Sequence, residues 1–208
     1  PSSLESCIRE IETHDLIACK GRAIGFNFNE KSKKVYGFLA YPQFYNYTID
    51  HCSSEERLNS HMSNYVMACL WSITRSDIMK LCLKIFKDSG QFSTCTAAEI
   101  GQSLTTAYLG KFKIINELMW LRSAENESVW WSFGELSFFK WYTSEETYPE
   151  KIHFIDTLSE NIADFSKDDN KEIRLALTDA LDKYISAIKN NQMSSFIYAL
   201  RQIRKNVS

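Results

Sequence analysis

Repeatedly along this chain a short polar residue is followed three positions later by glutamate and then by an apolar stripe of helical period. Four of these places are Ser2-x-x-Glu5, Ser53-x-x-Glu56, Thr96-x-x-Glu99 and Asp169-x-x-Glu172. In such a capping box the first side chain accepts a backbone N–H that the helix leaves unpaired, and the glutamate reaches back to the cap. Each box predicts a helix start. The stripes behind them are Leu4, Cys7, Ile8 and Ile11; Leu58, Met62, Tyr65, Val66, Cys69, Leu70 and Ile73; Ile100, Leu104, Ala107 and Tyr108; and Ile173, Leu177, Leu181, Tyr184, Ile185 and Ile188. All follow the i, i+3, i+4 spacing of one buried helix face.

Further helices are predicted from Ser76 (Ile78, Leu81, Cys82, Ile85, Phe86), from Pro149 (Ile152, Ile155, Leu158, Ile162, Phe165), and beyond Asn190-Asn191 (Phe196, Ala199, Leu200, Ile203). Gly110 either ends the helix before it or is carried through into KFKIINELMWLR. Only 7 Gly and 3 Pro interrupt the chain, well below their usual ~7% and ~5% shares. One region reads as β structure: AIGFNF (23–28) sets Ile24, Phe26 and Phe28 on one face, and VYGFLAY (35–41) returns after a polar link. PQFYNYTI (42–49) is a third strand or an aromatic loop. The expected fold is mostly α (α+β), a bundle-like domain of about eight helices with a small N-terminal antiparallel β-hairpin or sheet. Residues 1–208 read as a single domain, with a soft subdivision into hairpin plus helices (1–92) and helices (93–208).

The net charge of −2 is not that of a protein coating nucleic acid. The longest apolar runs, such as YVMACLW, fall far short of the ~20 residues of a spanning helix. The six cysteines contain no CxxC pair, and Cys7, Cys69 and Cys82 occupy apolar stripes, so reduced thiols are expected. No signal-peptide pattern opens the sequence, and a cytoplasmic location is the expectation.

Catalytic motifs are sparse. The four histidines have no metal-ligand spacing, and neither metal nor cofactor is expected. Glu150-x-x-His153 stands alone where a di-iron bundle needs two such pairs. Ser137-x-x-Lys140 and Ser186-x-x-Lys189 lack the further motifs of serine hydrolases. Over six residues, Arg9-Glu-Ile-Glu-Thr-His14 resembles the R-x4-H pattern of helical HEPN ribonucleases. That resemblance implies Arg9 and His14 as a catalytic pair acting on an RNA phosphate, although the family carries its motif on a late helix.

Two features point to partners. In VWWSFGELSFFKWYT (129–143) seven of the thirteen residues from Trp130 to Tyr142 are aromatic. It is either a central core element or an interface built on Trp130, Trp131, Phe138, Trp141 and Tyr142, residue types favoured in hot spots. Its acidic flanks (Glu125, Glu127, Glu135, Glu145, Glu146) argue against nucleic acid there. Charge is also segregated: Glu125–Glu172 holds twelve acids against four bases, while Lys183 to the end holds five bases and no acid. A basic patch of Lys31, Lys33 and Lys34 with Arg201, Arg204 and Lys205 is the corresponding candidate. The expected function is a non-catalytic protein-binding factor of inhibitor, immunity or host-interaction type. The alternative is a HEPN-like ribonuclease or another nucleic-acid-handling protein.

Overall fold

The computed structural model describes residues 2–42, 45–66, 69–88, 92–94, 96–123 and 135–206, with side chains omitted at 135–136 and 191–206. Among these lie seven helices and five strands. In chain order they are α1 (Ser2–His14), β1 (Leu16–Asn29), β2 (Lys34–Ala40), β3 (Thr48–Ile49), α2 (Ser54–Ser63), β4 (Ile73–Thr74), α3 (Ser76–Asp88), α4 (Thr96–Leu109), β5 (Lys111–Ser123), α5 (Glu135–Thr143), α6 (Tyr148–Ser166) and α7 (Asn170–Asn206).

The capping signals act locally: the Ser53 box closes from both sides, and Asp169 caps with its carboxylate. Ser53 Oγ accepts Glu56 N–H at 3.2 Å while the Glu56 carboxylate takes the Ser53 hydroxyl at 2.9 Å. Asp169 Oδ1 accepts the N–H groups of Lys171 and Glu172 at 2.8 and 3.2 Å. Helices α1 and α4 start on Ser2 and Thr96 themselves.

The sheet departs from expectation. It is mixed and five-stranded, in the order β2-β1-β5-β3, with β4 also on β1. The predicted antiparallel hairpin is present, from Ala23↔Ala40 to Asn29↔Lys34. However, β1 runs 14 residues and pairs in parallel with β5, a strand drawn from the segment that follows Gly110. A Cβ on Gly110 would lie 2.5 Å from Ile17 Cγ2, so only glycine lets the chain turn from α4 into β5 against β1. Parallel pairing of segments ~95 residues apart leaves no local signature.

Two helix predictions are also corrected. The stripe from Leu58 to Ile73 leaves the helix after Ser63, and Ile73 pairs with Cys19 of β1. Cys69 is buried all the same, so burial produced the stripe without a helix. Asn190-Asn191 does not end a helix, because α7 continues to Asn206.

One contiguous core joins Ala18 of β1, Phe112 and Ile114 of β5, Leu58 and Met62 of α2, Leu104 of α4, Phe138 of α5, Phe154 of α6 and Leu177 of α7. A smaller cluster packs Cys7 and Ile11 of α1 on Leu16 and Cys19 of β1. Within the main core, the Tyr47 hydroxyl and His61 Nδ1 share a hydrogen bond, and the His61 and Tyr65 ring centroids lie 5.3 Å apart. Burial holds His61 neutral, with a pKa pushed down to about 3. The unfolded chain, with an ordinary pKa near 6.5, therefore binds the extra proton between about pH 6.5 and pH 3. Stability should fall as pH drops through that window, by several kcal/mol. Urea titrations at stepped pH are expected to show this slope, with His61→Gln flattening it.

Candidate functional site

The sequence-derived candidates separate in space. Arg9 and His14 are both exposed on α1, about 140° apart around the helix axis, and His14 Nε2 lies 3.5 Å from Glu10. They do not meet. Of the aromatic stretch, Trp130 and Trp131 lie outside the described residues. Phe138, Trp141 and Tyr142 are buried, which corrects their reading as partner-facing. Their polar tips are satisfied internally: Trp141 Nε1–H donates to Glu150 at 2.8 Å and the Tyr142 hydroxyl to Asp182 at 2.9 Å. Glu150 also accepts the Ser93 N–H at 3.0 Å, and these donors hold its carboxyl below the usual range. Ser137 meets Thr94 at 3.3 Å while Lys140 is exposed.

Lys31, Lys33 and Lys34 are exposed at the β1–β2 turn. Arg201, Arg204 and Lys205 sit on α7 where only the backbone is described, so a patch shared by turn and tail is not defined. Among the described residues no group of three His, Cys, Asp or Glu gathers to hold a metal. No helix there is long and apolar enough to cross a membrane. Cys7, Cys19, Cys52, Cys69 and Cys82 are free thiols, and Cys95 lies outside the described residues.

What the structure does expose is the far end of the sheet, a wing formed by β1 from Ala23, β2, and the end of β5. Strand alternation splits it into two faces. On the outer face Ile24, Phe26 and Phe28 pair with Leu39, Gly37 and Val35, and Ile24 also pairs with Leu121. That face is apolar but for Ser123, which pairs with Phe26, and Lys33, whose ammonium lies 5.8 Å from the Phe28 ring centroid. Val35 and Leu121 are each 63% exposed, and Leu39 and Phe28 are exposed as well. Strand β2 ends the sheet, so one side of its backbone has no partner strand among the described residues.

The inner face carries Tyr36, Phe38, Trp120 and Arg122. Phe38 lies flat over Gly25, where a Cβ would come 2.2 Å from its ring. Beside them, rings and cations alternate. Arg22 lies 3.9 Å from the Tyr45 ring centroid, Arg122 lies 5.3 Å from Tyr41, and Lys20 lies 5.0 Å from Trp120. Tyr41 stacks on Trp120 with centroids 6.3 Å apart, and Trp71 meets Trp120 edge-on at 4.9 Å. Each cation–ring contact is worth roughly 0.5–2 kcal/mol. The β1–β5 ladder is irregular on both sides of Arg22, a break in pairing that re-aims side chains.

Lys20 is buried, donates to Leu70 O at 2.8 Å, and has its pKa lowered to about 8 by burial, against the opposing pull of Cys69 and Glu99. Tyr41 and Trp71 hold φ of 58° and 57°, left-handed conformations that cost bulky residues about 1–3 kcal/mol each and concentrate at functional sites. Two buried donors, Arg22 Nη2 and Trp120 Nε1, have no hydrogen-bond partner among the described residues.

No protein-family model, no curated protein and no solved structure matches this chain. The wing's own chemistry therefore carries the functional reading. The alternation of Ile24, Phe26 and Phe28 is visible in the sequence. The aromatic–cation cluster is not, because Lys20, Tyr41, Trp71 and Trp120 come from four separate segments.

Proposed function

We propose that this chain is a non-catalytic protein-binding factor whose partner adds an extended strand to β2 and covers the outer face of the wing. The observation that supports this reading is a largely apolar sheet face whose last strand, β2, has no partner on its other side among the described residues. Exposed apolar edges invite pairing with another chain and are usually blunted by charge, proline or a covering element. Here only Lys34 stands on the strand itself. Strand addition draws affinity from backbone hydrogen bonds and specificity from alternate side chains. Val35 and Leu39 would receive apolar partner residues. Lys31, Lys33 and Lys34 at the turn call for acidic residues on the partner, beyond the end of its paired strand. The partner is thus an acidic-flanked, alternating apolar segment.

The test compares immobilised wild-type chain with a Val35→Asp/Leu39→Asp double variant against a displayed library of random peptides. Alternating apolar sequences with acidic flanks should be enriched by the wild type and lost with the variant. Leu175→Asp, at an exposed α7 position far along the chain, should leave enrichment unchanged. Enrichment that survives the double variant, or none with the wild type, defeats the reading.

A further inference from the structure

We infer that the aromatic–cation cluster is a binding site for single-stranded nucleic acid, with bases stacked on Trp71 and Tyr45 and a phosphate held by Arg22. Its rings and Arg22 are not outer-face residues, the two readings share only Lys31, Lys33 and Lys34 at the turn, and this one does not depend on the protein-binding reading.

The side-chain chemistry defines the ligand. In this cluster the enclosed atoms left without partners among the described residues, Arg22 Nη2 and Trp120 Nε1, are both donors, so its shortage is of acceptors. Arg22 makes no ion pair among the described residues, so a negative charge is the complement. An acceptor anion alone would not explain the rings. Trp71 and Tyr45 are 59% and 55% exposed, although aromatic rings of this size ordinarily pack away from water. Each is braced from below, Tyr45 by the Arg22 guanidinium and Trp71 by the edge of Trp120.

Exposed rings alternating with cations are the usual platform for unpaired bases and their phosphates, since every base has a π face. The Tyr45 N–H bonds the Pro42 carbonyl at 3.1 Å, which ties the backbone of Tyr45 to the end of the hairpin. Lys31, Lys33 and Lys34 extend the positive charge along the same hairpin, which favours a strand over a lone nucleotide. Glu30 is the one acid between Lys20 and Lys34.

Fluorescence anisotropy with a labelled oligothymidylate of about ten nucleotides tests the site. Saturable binding is expected, with quenching of tryptophan emission and affinity falling as salt rises. Trp71→Ala should weaken binding about tenfold or more, Trp71→Phe should restore most of it, and Arg22→Gln should lower the salt slope by about one. Trp71 is largely exposed, so its variants should keep the wild-type circular dichroism and melting. The Val35→Asp/Leu39→Asp variant should bind the strand normally, which separates this site from the outer face. No saturable binding by the wild type, or binding unchanged in both Trp71→Ala and Arg22→Gln, overturns the assignment. Thymidine monophosphate binding as tightly as the oligomer overturns the strand in favour of a free nucleotide.

Discussion

Replacing Arg57 with alanine is expected to remove about 3–5 kcal/mol of stability in urea denaturation, the range for stranding partners of a buried charge. Arg57 is buried on α2 and donates to five acceptors. Nε reaches Ala107 O at 2.9 Å; Nη1 reaches His51 O at 3.0 Å and Cys52 O at 2.8 Å; Nη2 reaches Ser54 Oγ at 3.0 Å and Tyr108 O at 2.6 Å. Two of these carbonyls belong to the last turn of α4, whose C-terminal dipole favours a cation. A truncated side chain leaves them without a donor, and each buried orphan costs on the order of 1–3 kcal/mol. Arg57→Lys should recover only a minor part, because an ammonium is a point donor where the guanidinium fork spans both α4 and the 51–54 loop. A loss below about 1 kcal/mol for Arg57→Ala would show that the network is not a fastening between α2 and α4.

Phe138→Ala is expected to cost a similar ~3–5 kcal/mol, the usual range for emptying a buried phenylalanine site. The ring is fully enclosed, with Trp141 at 5.3 Å, Tyr142 at 6.0 Å and Tyr184 at 5.9 Å between centroids. For a chain of this size that loss lowers the melting temperature by roughly 10 °C. The result discriminates between the two readings of the aromatic stretch. An interface residue would weaken partner capture and leave the melt in place, whereas a core residue moves the melt. An unshifted melting curve would return Phe138 to the surface.

The parts of the fold legible in the sequence are those set by neighbours a few residues apart. Ser53 and Glu56 cap α2 whatever else the chain does, and Pro149 sits in the first turn of α6. The hairpin of β1 and β2 was legible for the same reason, since its two strands adjoin. By contrast, the period of Tyr65, Val66, Cys69 and Leu70 reports burial, and burial is satisfied equally by a loop lying over the core. Strand β5 was missed because its partner, β1, lies nearly a hundred residues away.

The candidate sites divide along the same line. Ile24, Phe26 and Phe28 announce an apolar face, but no local pattern says whether another element covers it. The aromatic content of 129–143 is plain, yet the inward packing of Phe138, Trp141 and Tyr142 depends on α6 and α7 supplying Glu150, Phe154, Asp182 and Tyr184 around them.

The sequence by itself determined where most helices begin, that helix dominates, and which residues demand burial, because capping and periodicity act over one or two turns. Only the tertiary structure decided that Phe138, Trp141 and Tyr142 meet that demand while Val35, Leu39 and Leu121 do not. It also brought Lys20, Arg22, Tyr41, Trp71 and Trp120 together. Those outcomes follow from parallel pairing of β1 with β5 and from where the helices stop covering the sheet, and both are contacts between residues far apart in the chain.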